Sequence, residues 1–141
     1  MRSVTDYAWQ VPSLQELRPR LRNERPPSAT VILARGGPDT LASLRTDARR
    51  TARRFCLDGE PLLGISVSAA LDVPLDDLLS DVPMFRFASV HCPTVAQLHE
   101  FQLVPTFRRP HFTVRLHSAD DLELTKLLTA LGPAQANPGY A

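Results

Sequence analysis

The sequence is nearly without lysine: of its 16 basic residues only Lys126 is one, and the rest are arginines. It holds two cysteines, Cys56 and Cys92, and neither sits in a Cys/His spacing of the kind that holds zinc. A disulfide-stapled scaffold and a metal site are therefore not expected. Aromatic residues make up 6% of the chain and do not interleave with the arginines, which argues against a stacking platform for sequence-specific reading of single-stranded RNA. No apolar run reaches the roughly 18 to 20 residues of a membrane span, and "MRSVTDYAWQ" lacks the apolar centre of a signal peptide. No membrane association and a cytoplasmic location are the resulting expectations. Glycine-rich phosphate loops are missing too, since "ARGGPD" fits neither GxGxxG nor the P-loop.

What is present describes one folded unit. With 141 residues, 43% hydrophobic and 22% charged, the chain can build a single core. Its arginine, alanine, leucine and proline bias suggests a bacterial genome rich in GC. The net charge of +1 hides an asymmetry: residues 1–57 carry +6 and residues 58–141 carry −5. Such a division suggests a face for polyanions, or a dipolar surface made for a protein partner.

The pattern along the chain predicts an α+β fold: a single domain with a small mixed or antiparallel sheet of four to six strands and flanking helices. Residues 1–28 read as a short helix, "SLQEL", opened by a Ser13/Glu16 capping box and followed by a basic connector. The domain proper spans 29–132. "ATVILA" is a continuous apolar run expected to form a buried strand. From Thr40 to Leu57, the spacing of Leu41, Leu44, Ala48, Ala52 and Phe55 predicts an amphipathic helix capped by Asp39 or Thr40. "DGEP" is a turn and "LLGISVSAAL" a second apolar strand. "PLDDLLSDV" reads as a short acidic helix, "MFRFASVHC" as a strand, and "TVAQLHEF" as a short helix. Residues 102–105 and 111–117 are expected to be extended. A capping box of Ser118 with Asp121 opens a last helix that Gly132 ends, and 133–141 reads as a flexible tail. In 111–117 the alternation puts His111, Thr113, Arg115 and His117 on a face turned to solvent or a cleft, with Phe112, Val114 and Leu116 toward the core.

Three points resemble the layout of ADP-ribosyltransferase-like domains of small bacterial toxin-type proteins. They are Arg35 at the end of "VILAR", Ser66 with Ser68 in "LLGISVSAAL", and the segment "EFQLVPTFRRPHFTV". The resemblance implies NAD as co-substrate, with Arg35 on its phosphate or ribose and Ser66 and Ser68 propping the nicotinamide pocket. Glu100 and Gln102 take the two positions of the catalytic E-x-E or Q-x-E element. The second position is normally a glutamate, and a neutral Gln102 cannot supply the charge that stabilises a ribosyl cation.

Two other readings stand beside this one. If the strands around His91 and His111 are neighbours, their imidazoles can serve as base and acid in metal-free RNA cleavage, with Arg108, Arg109 and Arg115 stabilising the phosphorane. Alternatively, the chain is a non-catalytic binding module. The helix expected over 41–55 carries Arg45, Arg49, Arg50, Arg53 and Arg54, a cationic stripe suited to nucleic acid or to an acidic, antitoxin-like protein partner.

Overall fold

The computed structural model describes residues 2–3, 31–71, 87–94, 96–107, 111–137 and 140. The expected helix at 13–17, the connector that follows it and the acidic helix at 74–82 lie outside the described residues, as do Arg108 and Arg109. The strands are β1 (Arg2–Ser3), β2 (Val31–Gly36), β3 (Phe55–Leu57), β4 (Glu60–Pro61), β5 (Gly64–Leu71), β6 (Ser89–His91), β7 (Gln102–Pro105), β8 (His111–Arg115) and β9 (Gln135–Ala136). The helices are α1 (Leu41–Arg54) and α2 (Asp121–Leu131), and a 3-10 turn covers Ala96–Leu98.

Six strands form the main sheet in the order β7-β8-β5-β2-β6-β9, and every neighbouring pair in it is antiparallel. The remaining three make a small sheet, β1-β3-β4, in which β1 runs parallel to β3. This is the small α+β fold that the sequence pattern predicts. Alternation along the central strands sets the core: Ile65, Val67 and Ala69 of β5 and Phe112 and Val114 of β8 point to one face. There Leu44 and Ala48 of α1 and Leu124, Leu127 and Leu131 of α2 close over them. A smaller cluster of Phe55, Leu62 and Val104 packs on the other face, because Val104 lies directly across β7–β8 from Thr113.

Several boundaries differ from the sequence reading. Helix α1 has Thr40 as its N-cap, Oγ1 accepting from the Ser43 N–H at 3.1 Å, but it stops at Arg54 rather than Leu57. Asp58 and Gly59 both take positive φ, the geometry of a tight Asp-Gly hairpin, and this turn draws Leu57 into a strand pair with Glu60. Phe55 is therefore a buried strand residue and not the end of a helical stripe. The cap of α2 is Asp120, whose carboxylate accepts from the Glu123 N–H at 2.8 Å, while Glu123 accepts from the His117 N–H at 2.9 Å. The capping pair thus lies two residues beyond the Ser118/Asp121 box. "TVAQLHEF" yields only the 3-10 turn. Residues 133–141 are not simply a loose tail: Gln135–Ala136 pairs with β6, and buried Asn137 donates from Nδ2 to the Phe87 carbonyl at 2.9 Å.

Candidate functional site

Helix α1 is held to the sheet by polar contacts as well as by its apolar stripe. Arg35, at the end of β2 and 2% exposed, donates from one terminal nitrogen to the Pro38 carbonyl at 2.8 Å and from the other to Ser43 Oγ at 3.2 Å. One turn further along, the Asp47 carboxylate accepts the backbone N–H of Ser66 at 3.2 Å. The β2–β5 ladder ends at Ala34↔Ser68, so this carboxylate serves a strand N–H that β2 no longer reaches. Burial raises the pKa of Asp47, opposed by the Ser66 bonds and by the charges of Arg35 and Arg50. Burial likewise lowers that of Arg35, while Asp47 and Asp39 raise it. Arg45 forms an ion pair with Asp121 and donates to the Ala119 carbonyl at 3.1 Å, tying α1 to the start of α2.

The remaining arginines of α1 face outward. Arg49, Arg50, Arg53 and Arg54 are all exposed, Arg49 and Arg53 opposite the buried Leu44, Ala48 and Thr51, and Arg50 and Arg54 toward the Asp47 side of the helix. Among the described residues no ion pair reaches Arg49 or Arg53. Arg54 lies over the Phe55 ring, 5.4 Å from its centroid. Two of these arginines, Arg53 and Arg54, occupy the last turn, where positive charge complements the helix dipole. Arg45 does not belong to this free face, since the contacts above occupy it.

A second polar cluster lies across the sheet. Thr106 Oγ1 is 2.8 Å from His111 Nδ1 and 2.9 Å from Thr113 Oγ1, and both threonines are fully buried. The expectation that Thr113 faces solvent or a cleft is corrected here: the alternation assigns its side of the sheet properly, but that side is covered. His111 is half-buried, and Phe107, with φ of 60°, sets its ring edge-on to the imidazole. Burial lowers the His111 pKa, the Thr106 carbonyl contact raises it, and Arg54 lowers it. This cluster closes the base of the β7–β8 hairpin, where the Thr106 N–H also donates to the His111 carbonyl.

The predicted site residues do not converge. His91 belongs to β6 and His111 to β8, and β2 and β5 lie between these strands, so the assumption that they are neighbours is wrong. They are also on opposite faces: His91 pairs with Arg35, whereas His111 pairs with Ser68, itself opposite Ala34. Ser68 consequently sits on the face away from Arg35. Glu100 follows the 3-10 turn and pairs with Lys126 at 3.1 Å. Gln102, on β7, accepts from Arg115 at 3.2 Å, with β8 and β5 between its strand and that of Arg35. Asp47 and Thr106 are the polar residues to which the sequence pattern assigned no role. Asp47 is the one acidic residue of an arginine-rich helix and Thr106 follows the end of β7, so only the tertiary partners reveal them.

Among the described residues no group of three or more His, Cys, Asp or Glu side chains is placed to hold a metal ion, and no helix is long and apolar enough to cross a membrane. The chain matches no family model, no curated protein and no solved structure with which it was compared.

Proposed function

We propose that this chain is a non-catalytic binding module that engages an acidic protein segment through the outer face of α1. The observation that carries the reading is the exposed set Arg49, Arg50, Arg53 and Arg54 on a helix fixed from behind by Arg35, Asp47 and Arg45. Arg49 with Arg53, and Arg50 with Arg54, are each four residues apart, about 6 Å along the helix axis. A partner helix with carboxylates at the same spacing matches both rows. Guanidinium forks suit carboxylates as well as phosphates. Charge favours the protein partner, because a pI near 7.9 and a net charge of −5 over residues 58–141 oppose a long nucleic acid. A dinucleotide-transferase role would need Arg35 to reach a ligand, and its guanidinium is buried and directed to Pro38 and Ser43.

The test is fluorescence anisotropy with a labelled helical peptide carrying glutamates at i and i+4, against a scrambled peptide and a single-stranded oligonucleotide. The patterned peptide is expected to bind more tightly than both, to weaken with salt, and to be lost in the Arg49→Glu/Arg53→Glu variant. Tighter binding of the oligonucleotide, or binding unchanged in that variant, overturns the reading. Titration with the nicotinamide dinucleotide that gave binding dependent on Arg35 would favour the transferase resemblance instead.

A further inference from the structure

Strands β2 and β6 pair at the registers Arg35↔His91 and Gly36↔Val90, and the Gly37 N–H continues the contact by donating to the Ser89 carbonyl at 3.1 Å. The first sets two polar side chains next to each other near the start of α1 and the end of α2. His91 is fully buried and Arg35 nearly so. The terminal nitrogens of Arg35 have partners, but among the described residues its Nε–H has none, and neither does His91 Nε2. The other ring nitrogen, Nδ1, is 3.0 Å from the Gly132 carbonyl. A carbonyl only accepts, so Nδ1 carries the proton, and in the neutral ring Nε2 is a bare lone pair. Burial, reinforced by the positive charge of Arg35, lowers the His91 pKa and favours that neutral ring, against the Gly132 hydrogen bond and Asp39, which raise it.

One unmet donor therefore accompanies one unmet acceptor, on residues that are direct partners across two strands. Leaving either unsatisfied in the interior costs on the order of 1–3 kcal/mol. A carboxylate or phosphate would accept from Nε–H but confront the lone pair of Nε2. A cation would be repelled by the guanidinium. A small neutral group that both accepts and donates complements the two, and water is the smallest such group. We propose that a single buried water molecule bridges these residues, accepting from Arg35 Nε–H and donating to His91 Nε2. Buried waters of this kind take two to four polar partners and belong to the fold. The bridge reinforces the short β2–β6 contact through which β9 is joined to the sheet. It does not depend on how α1 is used.

A crystal structure of the full chain at a resolution that orders solvent tests this directly. The expected result is one isolated peak within hydrogen-bonding distance of both nitrogens, with the peak lost in His91→Phe. In solution, long-range proton–nitrogen correlation of the wild-type imidazoles at neutral pH should show His91 protonated at Nδ1, with Nε2 shifted as a hydrogen-bond acceptor. That measurement needs no variant to fold. A proton on Nε2, an Nε2 shift typical of a free lone pair, Arg35 Nε satisfied by a protein carbonyl, or density larger than one atom each overturns the proposal.

Discussion

Mild acid is expected to destabilise this protein before its carboxylates titrate. His91 and His111 are both held neutral in the folded chain, mainly by burial, with the charges of Arg35 and Arg54 acting in the same direction. Their folded pKa values therefore lie below the ordinary 6.5. Between those values and 6.5, the unfolded chain binds protons that the folded chain refuses, so the unfolding free energy falls as the pH falls. Stability from both groups is complete above the unfolded value and is lost as the pH drops toward the folded ones. One refused proton gives a limiting slope of about 1.4 kcal/mol per pH unit, and two such histidines give about 2.7. Asp47 acts in the opposite sense, since its folded pKa is raised above 3.8. It favours the folded state at low pH and loses that contribution as the pH rises through its folded value, which flattens the acid end of the profile. The assay is urea unfolding followed by circular dichroism, in steps between about pH 7.5 and pH 5, with a constant denaturant slope as the check on two-state behaviour. His91→Gln and His111→Gln should each remove about half of the pH dependence. A flat profile over that range, or a slope that survives in the double variant, would refute the burial argument.

Gly64→Ala should cost about 1–3 kcal/mol by overpacking, because an added Cβ would meet the Val114 carbonyl oxygen at 2.5 Å as well as the Thr113 side chain; an unchanged urea midpoint would mean that β5 and β8 are less closely apposed. A double-mutant cycle on Arg45→Ala and Asp121→Ala should give a coupling below about 1 kcal/mol, since the Asp121 carboxylate is 78% exposed. Arg45→Ala alone should cost more than Asp121→Ala, through loss of the bond to the Ala119 carbonyl. Thr106→Val should be more destabilising than Thr113→Val in thermal unfolding, as Thr106 Oγ1 meets both His111 and Thr113 whereas Thr113 loses one contact of about 1 kcal/mol; the reverse order would show that Thr113 and not Thr106 organises the cluster.

Much of the architecture was legible in periodicity. The run ending at Arg35, the two apolar sets of β5 and β8, the 3.6-residue repeat of α1 and the glycine that ends α2 all carry local signals that tertiary structure left in place. The boundaries that moved did so where two local signals competed. Phe55 continues the helical repeat, yet Asp58-Gly59 closes a hairpin that needs Leu57 extended, and the turn prevailed. The site was less legible because alternation assigns a residue to a face without saying what covers that face. Thr113 follows the polar side of β8 as expected and is still fully buried. The order of strands was not encoded in spacing either, which is why His91 and His111 look adjacent as motifs while two strands separate them.

The same distinction bears on α1. A run of arginines on a helix is ordinarily a solvated face, and nothing in the spacing of Arg45, Arg49 and Arg53 separates one from another. The tertiary contacts do: Arg45 is engaged with α2, while Arg49 and Arg53 continue along the helix with no such partner among the described residues. Ser43 and Asp47 lie one turn apart and carry the ties to Arg35 and Ser66 along one side of the helix. With Leu44 and Ala48 packed in the core beside that row, and Arg45 tied to α2 on their other side, rotation about the helix axis is opposed. A helix so fixed has already lost its backbone freedom on folding, so a partner needs to order only the arginine side chains. That preorganisation would lower the cost of the proposed docking, and it rests on residues that carry none of the arginine charge.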